Sequence, residues 1–334
     1  SDWSRDKIDL SGLSAVNAKV DADFRRIVYG SYVVDSAQLV ATLENGVLDV
    51  SRLGGGTFGG TFDLTAQVAD RPTPTAALTI KVRDADVRKA ASTAAETDVV
   101  SGILTYDTDL TTSGGSEFEM VSNLGGTGAF NVRDGAVEGF SLWAFSDQLK
   151  ELNRAPDFLS LIDKSLSGGT TEFSALKGSY TVKNGILRSN DITLTADAAN
   201  GTATAVVDLP PRQMDVQAQA RLTEHPNSPP IGVQIVGPLD NPRQIYKTDE
   251  MQAYVLQRLA QRGLLKNLDK VKTGDEHVDN LLKGILGGGQ QQPSAAPVDQ
   301  SPSPAPQDAP QDTQPTPVKP EDAVRGLLKG ILGN

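Results

Sequence analysis

From residue 15 to about residue 236, apolar and polar residues alternate along the chain, placing every second side chain on one face of an extended strand. Val16, Ala18, Val20, Ala22 and Phe24 make one such run, and Ala37, Leu39, Ala41 and Leu43 the next. The period returns at Phe62, Leu64, Ala66 and Val68, at Leu78, Ile80 and Val82, at Met214, Val216, Ala218, Ala220 and Leu222, and at Val233 and Ile235. Asn45-Gly46, Asp134-Gly135 and Asn184-Gly185 are residue pairs that accept positive φ, so a tight antiparallel hairpin is predicted at each. The surroundings of the two Asn-Gly pairs, 42–48 and 181–187, read alike and point to a repeated hairpin unit. Helical crossovers between parallel strands are missing from the pattern, which argues against a doubly wound nucleotide-binding fold.

Between residues 142 and 166 the period lengthens. Trp143, Leu149 and Leu152, then Phe158, Leu161, Ile162 and Leu166, recur at helical spacing, with Pro156 near the second start, and predict two short helices. A third helix is predicted over 249–262, capped by Asp249, with Met251, Tyr254, Val255 and Leu259 on one face and Gly263 beyond its end. The run 288–320 is rich in Pro and Gln and has too little apolar surface to offset the entropy of ordering, so a disordered linker is expected. On either side of it stand two copies of one peptide, carrying Leu281, Leu282, Ile285 and Leu286 and then Leu327, Leu328, Ile331 and Leu332. Each copy is a candidate amphipathic docking helix.

The expected fold is therefore mainly β: an elongated, curved antiparallel sheet or groove of hairpin repeats, with a few short amphipathic helices and a disordered Pro- and Gln-rich tail. The β-rich region spans 1–246, interrupted by helices at about 142–166. C-terminal helices follow over 247–287, then the linker over 288–320 and a short amphipathic helix over 321–334.

Composition narrows the function more than the fold. A net charge of -11 argues against a phosphate-backbone partner, so no nucleic acid is expected. With no cysteine, thiolate metal sites, thiol nucleophiles and disulfides are all excluded. The two histidines, His225 and His277, have no paired spacing for a metal, and their expected roles are structural or solvated. The glycine run 54–60 lacks the Gly-Lys-Ser/Thr ending and following helix of a phosphate loop, and reads instead as a hairpin or bulge. Asp84, Asp86, Asp107 and Asp109 lack the spacing of a calcium loop and belong to a wet strand face. No catalytic residue, metal or cofactor is expected, and the chain reads as a non-enzyme. No run of apolar residues is long enough to span a membrane as a helix.

The order of segments resembles the C-terminal region of the AsmA family of Gram-negative envelope proteins. The stretches that carry the likeness include Gly126-Thr127-Gly128-Ala129-Phe130 running on to Asp134-Gly135, and Thr171-Glu172-Phe173 with Asn184-Gly185. They continue with Leu209-Pro210-Pro211-Arg212, Pro230-Ile231-Gly232-Val233 and Val236-Gly237-Pro238-Leu239-Asp240-Asn241-Pro242. These are turns and strand ends, specific through their order and spacing, and the likeness covers most of residues 1–260. It implies an inner-membrane protein with an N-terminal helix anchor, absent from this chain, and a long periplasmic β-groove. The implied role is envelope biogenesis, either moving phospholipid between inner and outer membrane or influencing outer-membrane protein assembly. The sheet expected here is shorter than a groove that crosses the periplasm, so the chain would form one end of a conduit.

On the residues alone, the apolar faces would pack on each other as a sandwich or against the helices. The resemblance favours an open groove instead, in which Val16, Ala18, Val20, Leu39, Ala41, Leu64, Leu78, Ile80, Val216, Ala218, Ala220, Val233 and Ile235 shelter phospholipid acyl chains. The alternative is a periplasmic scaffold whose two C-terminal peptides dock on envelope proteins, the flexible linker raising their effective concentration. A glycan-binding β protein ranks last, since only Trp3 and Trp143 offer indole platforms.

Overall fold

A computed structural model describes residues 3–95, 100–138, 141–150, 168–247 and 249–261. The alternating runs form one curved, open sheet of thirteen strands in sequence order, each neighbour antiparallel. The strands are β1 (Ala18–Tyr29), β2 (Tyr32–Glu44), β3 (Val47–Thr57), β4 (Gly60–Ala69), β5 (Thr75–Asp86), β6 (Val100–Ser113) and β7 (Gly125–Glu138). They continue with β8 (Thr170–Lys183), β9 (Ile186–Thr195), β10 (Ala199–Asp208), β11 (Gln213–Leu222), β12 (Ile231–Pro238) and β13 (Arg243–Lys247). Among the described residues, four short α-helices decorate the sheet: α1 (Val87–Ala95), α2 (Glu117–Ser122), α3 (Leu142–Lys150) and α4 (Asp249–Gln261). The fold class is the one that the alternation predicts.

Asn45 and Asn184 both sit at φ 51°, followed by Gly46 and Gly185 at 74° and 71°, and they close the β2–β3 and β8–β9 hairpins as predicted. The likeness extends past the turns. Asp70 N donates to Gly46 O at 2.7 Å, and Leu209 N donates to Gly185 O at 3.0 Å, so each hairpin tip is bonded to the next loop on its rim. Asp134-Gly135 behaves differently from the prediction. It lies inside β7, where Asp134 at φ 51° opens a bulge opposite the register shift between Ser101 and Ile103 of β6. The same tolerance of positive φ bends a strand when apolar pairing continues beyond it. In the glycine run, Phe58-Gly59 makes the β3–β4 turn.

Three elements depart from the sequence reading, which placed no helix before residue 142 and ended the last strand at Gly237-Pro238. Of these, α2 carries a legible signal: Ser116 Oγ accepts from Glu119 N at 3.2 Å, and the Glu119 carboxylate accepts from Gly115 N at 2.6 Å, close to a capping box. Helix α1 begins with only Asp86, whose carboxylate accepts from Lys89 N at 3.1 Å. Strand β13 has one aliphatic residue, Ile245, and so no period of two to read. The predicted helix at 158–166, the linker and both C-terminal peptides lie outside the described residues.

The two rims of the sheet are finished differently. One rim carries α1, α3 and α4. Here Leu142, Phe145 and Leu149 of α3 and Met251 and Val255 of α4 pack on Ala199 and Leu222, the largest buried cluster. Trp143, expected to pack, is 65% exposed, because positions 142, 145 and 149 take the inward face of α3. The other rim carries the Asn-Gly turns, α2 and the segment ahead of β1. That segment runs as a strap: Trp3 Nε1 donates to Leu209 O, Ile8 N to Gly115 O, and Ser14 Oγ to Asp70 Oδ2, at 2.8, 2.8 and 2.9 Å.

Candidate functional site

In an antiparallel sheet, directly paired residues project from the same face, so the register shows how far one face extends. A line of partners runs without interruption from Val20 through Ala41, Val50, Ala66, Leu78, Leu110, Gly126, Val182, Leu187 and Val207 to Met214. It crosses the sheet from β1 to β11 and meets only apolar residues. A parallel line joins Leu104, Val132, Leu176, Leu194, Gly201, Ala220 and Ile231. In β3 the register shift falls between the apolar pairs Val50–Ala66 and Leu53–Leu64, so the sidedness carries past that bulge. At about 4.8 Å between strands, the thirteen strands give a floor of roughly 58 Å along its arc.

All the predicted groove residues except Val16 lie on this face. Ala18 and Val20 pair with Leu43 and Ala41, Leu39 leads through Leu53 to Leu64 and Ile80, and Leu78 faces Ala66. Val216, Ala218 and Ala220 pair with Ile235, Val233 and Ile231. Val16 precedes β1 and is 60% exposed. The docking-peptide candidates Leu281, Leu282, Ile285, Leu286, Leu327, Leu328, Ile331 and Leu332 lie outside the described residues. Sequence reading missed the middle of the floor, including Leu104, Leu110, Phe130, Val132, Leu176 and Leu194. There Thr108, Gly126, Gly128 and Gly178 replace bulky apolar residues and blur the alternation.

Among the described residues, the face is lined but has no second layer over it. On β4, Phe62, Leu64, Ala66 and Val68 are half-buried while Thr61, Asp63, Thr65 and Gln67 between them are exposed. Residues between two packed sheets would be buried, and no second sheet lies over this face among the described residues. The sandwich arrangement that the residues alone favour is therefore not adopted. At the β8–β13 end the face deepens into a cavity of about 310 Å³, within the range of small-molecule sites. Leu176, Ile192, Leu194, Ala218, Val233 and Tyr246 line it, and Leu142 reaches in from α3. Burial raises the pKa of the Tyr246 hydroxyl.

The opposite face is polar and internally paired. Arg83 meets Asp107 at 2.6 Å, Thr79 donates to Asp109 at 2.6 Å, and Arg133 meets Asp84 at 2.8 Å, so these carboxylates already have partners. Two hydrogen bonds from Ser179 hold the Asp191 carboxyl below its usual range. Among the described residues no cluster of three or more His, Asp or Glu could hold a metal ion. His225 is buried and its Nε2 donates to Ser146 O at 2.7 Å, fastening the β11–β12 loop to α3. Lys150 and Glu224 close the same joint at 2.6 Å, which lowers the Glu224 pKa and raises that of Lys150.

The sequence model of the AsmA family matches residues 1–192, more than half of the 334-residue chain. The chain belongs to the AsmA family. The match takes in the strap, the first eight strands and β9 as far as Ile192, and the apolar floor of this AsmA-family protein continues in register beyond it through β12. The family is associated with the bacterial envelope. No curated protein and no solved structure matches the chain. Among the described residues, no helix is long and apolar enough to cross a membrane.

Proposed function

We propose that this AsmA-family protein is a non-enzymatic component of envelope biogenesis, placed in the periplasm, whose apolar sheet face carries phospholipid between inner and outer membrane. The observation behind this reading is the continuous apolar floor left half-exposed across the sheet. Laying an acyl chain on it removes hydrocarbon from water on both partners, worth about 0.8 kcal/mol per CH₂ buried. The cavity at the β8–β13 end would take the deepest part of an acyl chain.

Native mass spectrometry of the purified chain, with organic extraction of whatever co-purifies, tests this. We expect phospholipid at near-stoichiometric level, lost on placing Asp at Ala218 or Leu64 and retained with Asp at Gln217, which is on the polar face. Circular dichroism of each variant establishes that it is folded. A folded wild-type chain free of lipid, and unable to take phospholipid from vesicles, overturns the reading.

A further inference from the structure

One row of the floor is not hydrocarbon. Ile80 pairs with Thr108, Thr108 with Gly128 and Gly128 with Tyr180, while Tyr106 follows two residues before Thr108, between Val82 and Phe130. Three hydroxyls thus stand together at the middle of a face built mostly of Leu, Val, Ile and Ala. Tyr106 Oη and Tyr180 Oη are 2.5 Å apart, Tyr180 Oη lies 2.9 Å from Thr108 Oγ1, and Thr108 Oγ1 lies 3.0 Å from the carbonyl oxygen of Thr127. Gly128 makes this possible. A Cβ there would fall 2.3 Å from Tyr180 Cζ, so the ring lies across the glycine to reach β6.

The direction of the protons in this chain is forced. A carbonyl oxygen only accepts, so Thr108 spends its single hydroxyl proton on Thr127 O. Thr108 Oγ1 must then accept from Tyr180, which spends the Tyr180 proton. The contact between the two phenols therefore has Tyr106 donating and Tyr180 accepting. Burial pushes the Tyr180 pKa upward, so the Tyr180 hydroxyl keeps its proton at physiological pH. Every proton is committed inward, and the open end of the chain is a pair of lone pairs on Tyr106 Oη.

We infer that Tyr106 is a hydrogen-bond acceptor site on the groove floor, matched to a lipid whose polar part carries a donor, either an ammonium or a hydroxyl. A polar part without such a donor, whether a methylated ammonium or a carboxylate, gains nothing there. The inference rests on the lipid-groove reading and names the lipid chemistry that the groove prefers.

The test offers the full chain vesicles that mix phosphatidylethanolamine, phosphatidylglycerol and phosphatidylcholine with identical acyl chains, and reads the bound lipids by native mass spectrometry. Wild type is expected to enrich the donor-bearing lipids over phosphatidylcholine about fivefold, the worth of one net hydrogen bond. Enrichment of phosphatidylethanolamine alone assigns the donor as ammonium, and of phosphatidylglycerol alone as hydroxyl; either supports the site. Tyr106→Phe should bring the ratio close to one. Tyr180→Phe releases the Tyr106 proton and turns the open end into a donor, so binding of palmitate, a carboxylate, should rise about fivefold over wild type. Bound lipid with no preference in wild type, or a preference unmoved by Tyr106→Phe, overturns the site and leaves the groove reading standing. Failure of wild type to bind any of the three lipids overturns both.

Discussion

The indole Nε1 of Trp3 donates to the carbonyl oxygen of Leu209 at 2.8 Å, joining the strap to the β10–β11 loop across 206 residues of sequence. Arg212 stacks over the same ring at 5.6 Å, and Arg5 lies 3.8 Å from the centre of the Phe118 ring farther along the strap. An open sheet has no closing strand to fix its curvature, so a segment bonded at both ends of a rim limits how far the sheet can flatten. Trp3→Phe keeps an aromatic ring and removes the donor, leaving the half-buried Leu209 O without that partner. We expect a loss of about 1 kcal/mol in urea unfolding. In a Trp143→Phe background, acrylamide quenching of Trp3 should be weak in the native chain. Strong quenching there would mean that the strap is not held.

What could be read in the sequence was what depends on neighbours along the chain. Val20, Leu64 and Ala218 announced their face because the residues on either side of each are polar, and Asn45-Gly46 announced its turn through φ tolerance alone. The middle of the floor was hidden for a long-range reason: Gly128 is small because Tyr180, 52 residues later, lies over it. Asp134-Gly135 misled because local chemistry shows that the backbone can bend and not whether pairing resumes beyond the bend. Whether the apolar face would be covered was not legible either, since a sandwich and an open groove share one alternation.

The open face and the helix rim should answer truncation differently. Leu149 is 1% exposed and closed in by Phe145, Leu222 and Met251, so Leu149→Ala should cost about 2–5 kcal/mol through lost burial and a cavity. Leu64 is half-buried on the open floor, where water fills what the side chain vacates, and Leu64→Ala should cost about 1 kcal/mol. Equal losses in chemical denaturation would show that something covers the floor in solution.

The joint between α3 and the β11–β12 loop should give a pH signature. Lys150 lowers the folded-state pKa of Glu224 below the ordinary 4.5, so the unfolded chain binds the proton more readily. The contribution of Glu224 is complete above 4.5 and fades as pH falls through the lowered value. For Lys150, raised above 10.5, the contribution is complete below that value and fades as pH climbs through the raised one. The Tm difference between wild type and Glu224→Gln should be level between these limits and shrink at both ends. A difference that does not change with pH would mean that the pair adds nothing in solution.

Gly126 tests whether the floor can admit side chains where it has none. It stands at φ 144°, in the line of partners between Leu110 and Val182, and a Cβ there would lie 2.0 Å from the carbonyl oxygen of Asp109 and 2.9 Å from the Leu110 Cα. Both obstacles are backbone of the paired strand, so they cannot turn aside as a side chain would. Gly126→Ala must either flatten its own backbone or push β6 and β7 apart, and either response disturbs a ladder paired along eleven positions. We expect a destabilisation of about 1–3 kcal/mol, the usual cost of overpacking. At Gly12, where nothing lies within 4 Å of the added carbon, the same substitution should fall within about 0.5 kcal/mol of neutral. If urea unfolding places both variants at the wild-type midpoint, then β6 and β7 are not held in this register, and the apolar line from β1 to β11 is broken at its centre.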